Sequence, residues 1–360
     1  MNQKKEKNNK KRKKRNWLNL LANRWLLRSN MKVSLVSLRV FPTPQSNYYT
    51  MVLYTYSDAD WMYKVNIFRL VLYYAGMAAN LFLTMTAAHC NFSYVIPKVL
   101  LITQSFVDSL VCFISAVYIH LQEFQNFESP PKSLVLCHLW VSNWPLFFFL
   151  ACGLLNLLSL TFDRFWSVVC PTTYKSRTRL RISLTYISLI ITAFLLSLPI
   201  MLQVSFDQGK CFIVPGPSLL INSYVWVVGT FFLPTFLHGL FHLWILSVLR
   251  GDAEFYKLAK NRFTTTVLMT VISHTLLIVP DALYFLIGHS IGVDYLPGTP
   301  IQTFTATCLT LNSCLSPITY FVLMKKLRRT ALRLLTTICG RTGSIGNVTE
   351  TEYSSTQSQM

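Results

Sequence analysis

The chain has 360 residues, of which 52% are hydrophobic and only 13% are charged, and its formal net charge is +19. Soluble domains carry about twice this share of charged residues, so the composition excludes an ordinary soluble enzyme or binding domain. It indicates a protein that resides in a lipid bilayer.

The amino-terminal segment is strongly basic. Residues 1–40 contain thirteen basic residues against a single acid, Glu6. Such a stretch could lie on an anionic membrane or bind nucleic acid. In the alternative interpretation, translation starts at Met31 or Met51 and the basic stretch is not native. Residues 1–64 are therefore predicted to be a basic and then aromatic tail.

Seven apolar segments follow this tail, and each supplies the ~20 mostly apolar residues that ~30 Å of hydrocarbon requires. They predict an all-α membrane protein, a seven-transmembrane helix bundle over residues 65–323. The predicted spans are residues 66–88, 95–120, 134–162, 182–204, 219–249, 262–288 and 302–323.

Basic residues concentrate in alternate loops, after the third, fifth and seventh spans. The opposite loops carry more acidic than basic residues. By the positive-inside rule, the basic loops are cytoplasmic and the amino terminus is extracellular. The basic loop residues are Lys175, Arg177, Arg179, Arg181, Arg250, Lys257, Lys260, Arg262, Lys325, Lys326, Arg328 and Arg329.

Beyond the seventh span, residues 324–340 alternate basic and apolar side chains with a helical period. They predict an amphipathic helix on the membrane surface, with Leu327 and Ala331 among the residues that face the bilayer. Cys339 is a candidate palmitoylation site. Residues 341–360 are rich in serine and threonine, and they predict a disordered cytoplasmic tail.

The third span ends in Asp163-Arg164-Phe165, with Pro171 and Tyr174 shortly after it. An acid beside an arginine at the mouth of a membrane helix resembles the Asp-Arg-Tyr signature of rhodopsin-like G-protein-coupled receptors, a family in which Pro and Tyr recur at this spacing. The resemblance implies a plasma-membrane receptor. It also implies that Asp163 holds Arg164 at rest, and that the released Arg164 contacts a heterotrimeric G protein.

A lone aspartate in the second span, Asp108, also fits the family pattern. A carboxylate in the membrane is costly unless a cation or polar groups surround it. In the family this cage binds a sodium ion, but here Gly153 stands where a serine ligand is common. A protonated, neutral Asp108 is the alternative. The side chains expected to converge on Asp108 are Asn80, Asn312, Ser313 and Ser316.

Three prolines fall where the family places its helix kinks, namely Pro234, Pro280 and Pro317. Each removes an intrahelical hydrogen bond, which leaves a flexible point in its helix. The surrounding motifs are eroded, because Leu277-Ile278-Val279-Pro280 replaces Cys-Trp-x-Pro and Ser316 replaces the asparagine of Asn-Pro-x-x-Tyr. The resemblance is therefore to a divergent member.

A histidine, His242, stands where a tyrosine usually helps to hold the active form of these receptors. With His274 on the next span, it could pair with Tyr320 or water, and histidine would make the switch sensitive to pH. In the alternative interpretation, both histidines are neutral packing residues.

Two cysteines, Cys137 and Cys211, lie at the predicted outer side. They resemble the family's bridge between the third helix and the second outer loop. The distance in sequence from Cys137 to Arg164 is longer than usual, which predicts a bulge near Pro145. Two unpaired thiols are the alternative.

The ligand hypothesis rests on Asp281, which directly follows Pro280, about two turns below the outer end of the sixth helix at 1.5 Å per residue. In the family this position faces the ligand cavity. A buried carboxylate favours a cation, so Asp281 predicts a small basic peptide, as for a neuropeptide receptor, or an amine. An internal partner such as His289, or a solvated rim, is the alternative.

Other classes remain as alternatives. The eroded motifs leave open a ligand-independent or constitutively active receptor-like protein. A transporter would be expected to show two similar halves, and no internal repeat is seen. An intramembrane enzyme would need paired catalytic groups, yet Asp108 and Asp281 are predicted at different depths in the membrane. We expect no catalytic residue, no nucleic-acid partner, and no cofactor beyond the sodium ion implied at Asp108.

Overall fold

The computed structural model describes residues 59–92, 94–124, 134–174, 178–202, 204–207, 210–213, 217–250, 262–291 and 300–338. The chain divides into two units. The helix bundle belongs to the unit made of Tyr48–Val52 and Tyr63–Met360, whereas the other unit comprises Met1–Asn47 and Leu53–Met62. Of the unit that comprises Met1–Asn47 and Leu53–Met62, the structure describes only residues 59–62. Cys339 and the predicted tail lie outside the described residues.

Within the described ranges, seven helices are long and apolar enough to cross a membrane. The prediction of a nearly all-helical, seven-transmembrane bundle is confirmed. The uninterrupted spans are helices Ala59–His89 (first), Val95–Phe124 (second), Thr178–Leu202 (fourth), Arg262–Ile291 (sixth) and Pro300–Leu323 (seventh). A four-residue helix, Pro171–Tyr174, connects the third and fourth spans.

The third span is interrupted near its start. A short helical turn, Leu134–Leu136, leads into a π-helical segment, Cys137–Val141, and a regular helix then runs over Trp144–Val169. Between them Asn143 adopts the left-handed conformation with φ of 58°. Pro145 follows in the first helical turn, where its missing N–H is tolerated. Since π-helical turns hold an extra residue, this interruption takes up the unusual length between Cys137 and Arg164.

The fifth span is interrupted in a similar way. Helix Pro217–Val227 passes into a π-helical segment, Val228–Phe232, before helix Leu233–Arg250. The interruption ends next to Pro234, which has no N–H to donate to the preceding turn. The other two predicted kink prolines, Pro280 and Pro317, lie inside the sixth and seventh helices.

Two short strands follow the fourth span, β1 (Val204–Asp207) and β2 (Lys210–Ile213). They pair antiparallel, with Phe206 opposite Cys211. The sequence prediction extended the fourth span to residue 204 and contained no strand. β1 alternates apolar and polar residues (Val-Ser-Phe-Asp), which is the period of a strand, whereas β2 (Lys-Cys-Phe-Ile) does not alternate.

The helix surfaces are apolar outside as well as inside. Phe68, Leu243 and Leu276 expose 65%, 69% and 66% of their surface. In water such exposure would be costly, but in a bilayer these side chains face hydrocarbon while the helices satisfy their own backbone groups. The largest buried cluster lies towards the Arg164 end of the bundle and includes Leu83, Leu101, Leu157, Leu160, Val267, Tyr320, Met324 and Leu327.

The last helix, Lys325–Ile338, has one basic and one apolar face. Leu327 and Ala331 are only 0% and 5% exposed, and Leu327 belongs to the cluster that contains Tyr320. These two residues therefore pack on the bundle rather than on the bilayer, which corrects the prediction for them. Leu332 and Leu335, at 58% and 43% exposed, remain available to lipid.

Candidate functional site

The end of the third helix holds a buried ion pair between neighbouring residues. Asp163 and Arg164 are 3% and 5% exposed. The Arg164 guanidinium donates to Asp163 Oδ2 through Nη2 and, at 3.2 Å, through Nε. Charge-assisted contacts of this kind are strong when they are buried, so the arginine is held in place by its own neighbour.

Two further residues close around the same carboxylate. The Tyr174 hydroxyl donates to Asp163 Oδ1 at 2.9 Å, and Arg181 Nη2 lies 3.8 Å from the same oxygen. Arg181 also lies over the rings of Trp166 and Tyr174, at 4.4 and 4.9 Å. We refer to Asp163, Arg164, Tyr174 and Arg181 together as the arginine lock.

Tyr174 remains a hydrogen-bond donor at this site for a physical reason. Burial raises the pKa of its hydroxyl above the usual range, and the negative charge of Asp163 raises it further. Both effects disfavour the phenolate, so the hydroxyl keeps its proton and donates it to Asp163. In the sequence, Tyr174 fits the family pattern and Arg181 is one of the basic loop residues, but the sequence alone indicates no contact of either with Asp163.

Phe165, the third residue of the motif, lies in an aromatic cluster that joins the third and fifth spans. Its ring centroid is 5.1 Å from those of both Phe241 and Trp244. Phe162 stacks on it at 6.0 Å. Phe165 therefore packs against the fifth span and does not contact the Asp163 carboxylate as Tyr174 does.

The two predicted histidines, His242 and His274, lie inside the bundle. Among the described residues, neither His242 Nε2 nor either ring nitrogen of His274 has a hydrogen-bond partner. The Tyr320 hydroxyl approaches Thr270 without forming a good hydrogen bond. The structure therefore does not pair His242 with Tyr320.

A third histidine, which the sequence analysis missed, connects this region to the third helix. His238 Nδ1 lies 2.9 Å from the Thr161 hydroxyl. His238 lies near His242 and His274. Its position one helical turn before His242 is the sequence signal that could have revealed it.

The Asp108 carboxyl group is held by three donors. Ser313 Oγ donates to Oδ1 at 3.0 Å and Ser316 Oγ to Oδ2 at 2.6 Å. The third donor is Gln104 Nε2, 3.3 Å from Oδ1, a residue that the sequence analysis did not name although it lies one turn away. The structure therefore places the two predicted serines at Asp108.

The two predicted asparagines are placed differently. Asn80 Nδ2 donates to the carbonyl oxygens of Gly76 and Ser313, at 2.9 and 2.7 Å. Asn312 is buried at 7% exposure, and among the hydrogen bonds of the described residues none joins it to Asp108. Asn80 thus fixes the backbone of the seventh helix next to the cage rather than the carboxyl group itself.

At the opposite end of the third span, Cys137 is fully buried and disulfide-bonded. Its sulfur lies 3.6 Å from the carbonyl oxygen of Ser205 in β1. Ser205 pairs with Phe212 in β2, the neighbour of Cys211. The backbone of the hairpin thus brings the segment that carries Cys211 next to Cys137.

The predicted ligand residue, Asp281, is 3% exposed. It lies near Cys308 of the seventh helix, and it has an interaction within the chain. The side chain of His289, the alternative partner, lies outside the described side chains. Among the described residues, no group of three or more His, Cys, Asp or Glu side chains could hold a metal ion.

Comparison with known proteins agrees with this geometry. Residues 82–320 match the family model described as 7 transmembrane receptor (rhodopsin family), which is well over half of the chain. The comparison with curated proteins gives no significant match. Members of this family are multi-pass plasma-membrane receptors that signal through G proteins and are not enzymes. The chain belongs to the rhodopsin family of seven-transmembrane receptors.

Proposed function

We propose that this receptor is switched on by an extracellular ligand, and that the switch is the release of Arg164 from the arginine lock. The observation that carries the proposal is the set of contacts on Asp163. Arg164 and Tyr174 donate hydrogen bonds to its carboxylate, and Arg181 forms an ion pair with it. An arginine held this way cannot reach a partner. Once it is released, its five donors are suited to the carbonyl and carboxylate groups at a helix end of a G protein.

The orientation of the receptor is part of this proposal. Arg179, Arg181, Lys325 and Lys326 lie at the same end of the bundle as Arg164, because the third and seventh helices end there and the fourth begins there. By the positive-inside rule this end is cytoplasmic. The amino terminus, which precedes the first span, is then extracellular.

We further propose that Cys211 is the disulfide partner of Cys137. The hairpin backbone supports this pairing, since Cys211 lies in β2 next to the Ser205 carbonyl that Cys137 contacts. On the proposed orientation both cysteines meet an oxidising compartment, where disulfides persist. The bond would hold the hairpin over the outer end of the third helix.

For the ligand, we propose a small basic peptide or amine whose cation approaches Asp281. A carboxyl group buried to 3% exposure in the sixth helix favours a positive charge beside it. Recognition requires the outer ends of the sixth and seventh helices to separate, because Asp281 is enclosed and already has an interaction within the chain. A ligand that supplies the cation would shift the bundle towards the separated arrangement by its differential affinity.

A ligand-independent receptor is the second candidate, and the closed arginine lock is an argument against it. In a fully constitutive receptor, the state with Arg164 released would be the main one. The structure instead has Arg164 paired with Asp163 at two of its nitrogens. We therefore favour a resting receptor that needs a stimulus.

The test is a cell-based assay of G-protein activation, with cells expressing the chain and challenged with short basic amidated peptides and small amines. At least one ligand and G-protein combination is expected to respond. Arg164→Ala should abolish the response at unchanged surface level, whereas Arg179→Ala, which removes an exposed arginine from the same end, should retain it. An undiminished response of Arg164→Ala would contradict the assignment of Arg164.

A further inference from the structure

The surroundings of the Asp108 carboxyl group differ from those of the cation site that the family resemblance implies. Three donor groups already lie within hydrogen-bond distance of the Asp108 carboxyl oxygens, on Ser313, Ser316 and Gln104. Both serines lie in the seventh helix, whereas Gln104 lies one turn before Asp108 in its own helix. The carboxyl oxygens therefore have donors on two sides before any ion is considered.

The orientation of the Gln104 amide is determined by its other neighbour. Asn156 Nδ2 donates to the backbone carbonyl of Leu100 and to Gln104 Oε1, both at 2.9 Å. A backbone carbonyl can only accept, so the Asn156 atom between them must be the nitrogen. Gln104 then has its oxygen towards Asn156 and its nitrogen towards Asp108.

The third helix leaves room for this amide. A Cβ atom built on Gly153 would lie 3.5 Å from Gln104 Nε2 and 3.8 Å from Asp108 Oδ1. A serine here, as is common in the family, would place a hydroxyl oxygen beside the carboxyl group. In this chain glycine offers no oxygen, and the neighbouring group is an N–H donor, which a cation repels.

We propose that this receptor has no sodium site at Asp108, and that the Gln104 amide takes the place of the cation. The residues present do not fit the ion, because a donor occupies the position and one expected oxygen ligand is missing. In its place a continuous chain of hydrogen bonds runs from Asn156 through Gln104 and Asp108 to Ser313 and Ser316.

This chain of hydrogen bonds joins the third, second and seventh helices without an ion. Asn156 belongs to the third helix, Gln104 and Asp108 to the second, and both serines to the seventh, where Ser316 directly precedes Pro317. Gln104 is thus a positioning residue for the seventh helix. The arrangement should be insensitive to the concentration of sodium.

The experiment is thermal unfolding of the purified receptor in sodium chloride and in choline chloride at equal ionic strength, which keeps screening constant. The unfolding temperature of the wild type should be the same in both salts. A saturable stabilisation by sodium that disappears in Asp108→Asn would overturn the proposal. It would mean that oxygens such as Asn80 Oδ1 and Asn156 Oδ1, which have no hydrogen-bond partner among the described residues, bind the ion.

A gain-of-function variant tests the role of Gln104 directly. Gln104→Leu combined with Gly153→Ser removes the competing donor and restores the missing oxygen. Sodium about 100-fold above its Kd should then raise the unfolding temperature by about 5 °C. Gly153→Ser alone, which keeps Gln104, should stay indifferent to sodium. A folded double variant whose unfolding temperature does not respond to sodium would refute the role assigned to Gln104. If the double variant fails to fold, the comparison of the wild type in the two salts tests the proposal.

Discussion

The hydroxyl of Tyr174 is the part of the arginine lock that can be removed most cleanly. Tyr174→Phe deletes the 2.9 Å hydrogen bond to Asp163. It keeps the ring, which packs edge-on against Tyr94 at 5.1 Å and under Arg181 at 4.9 Å. It also removes the acceptor of the long, 3.4 Å hydrogen bond that Arg164 Nη2 donates to the hydroxyl. Both lost bonds belong to the arginine lock, and the surrounding packing stays intact.

The expected effect follows from the partners that remain. A hydrogen bond to a charged group contributes ~1.5–3 kcal/mol. Asp163 keeps its hydrogen bonds from Arg164, and Arg181 lies 3.8 Å away. We therefore expect a loss at the lower end of this energy range. Because the bond belongs to the resting state, its loss should shift the equilibrium towards the active state about tenfold.

The assay is basal nucleotide exchange on a panel of G proteins, normalised to the receptor at the cell surface. Tyr174→Phe should raise basal exchange about tenfold while the active form is still the minor one. Tyr94→Phe is the matched control, because it removes a hydroxyl from the adjoining ring, and it should behave as the wild type. Equal basal activity of all three proteins would refute the proposal that this hydroxyl helps to hold the resting state.

Three further predictions concern the rest of the bundle. Cys137→Ser and Cys211→Ser should cause the same loss of surface expression, and the double variant should be no worse than either single one; additive losses would show that the two are not paired. Asp281→Asn should lower the potency of a basic agonist by about 30- to 4,000-fold at normal surface level, since truncating one side of a buried charge pair costs ~2–5 kcal/mol; a response equal to that of the parent would make Asp281 an internal structural acid. Gly76→Ala should destabilise the folded receptor by ~1–3 kcal/mol and lower its unfolding temperature, because the added Cβ would lie 2.8 Å from the Cys314 sulfur. Gly239→Ala is the control. Its Cβ would have no atom within 4 Å, so it should not lower the unfolding temperature.

The parts of this molecule that could be predicted are those encoded locally. Each span is a continuous apolar run of sufficient length, so the number of spans and most of their positions follow from composition alone. The Asp163–Arg164 pair joins adjacent residues, so it could be predicted for the same reason. Ser316 followed from its place beside Pro317 in a family motif.

The parts that could not be predicted depend on how separate segments face each other. The bond from Tyr174 to Asp163 requires the short helix after the third span to fold back on it. Gln104 joins Asp108 to Asn156 only because the second and third helices meet at this rotation. The sequence shows that these residues are polar and lie within spans, but it does not show which neighbouring helix each side chain faces.

The irregular segments have a third cause. The π-helical turn that begins at Cys137 and the strand pair around Phe206 and Cys211 involve only a few residues each. The apolar content of these residues does not distinguish a regular helix from the observed form, and only the alternation within β1 favours a strand. In the structure the hairpin contacts Cys137 through the Ser205 carbonyl oxygen, and the linear sequence does not record such a contact between separate segments.

The most direct measurement is nucleotide exchange by purified G proteins on lipid vesicles that contain only this receptor. Vesicles with Tyr174→Phe, in which the arginine lock is weakened, should accelerate exchange on at least one G protein over empty vesicles without any added ligand. The double variant Tyr174→Phe/Arg164→Ala should lose that acceleration although its fold is retained. Exchange that is no faster than in empty vesicles for every G protein, or that is equally fast without Arg164, would contradict a receptor that works by releasing this arginine.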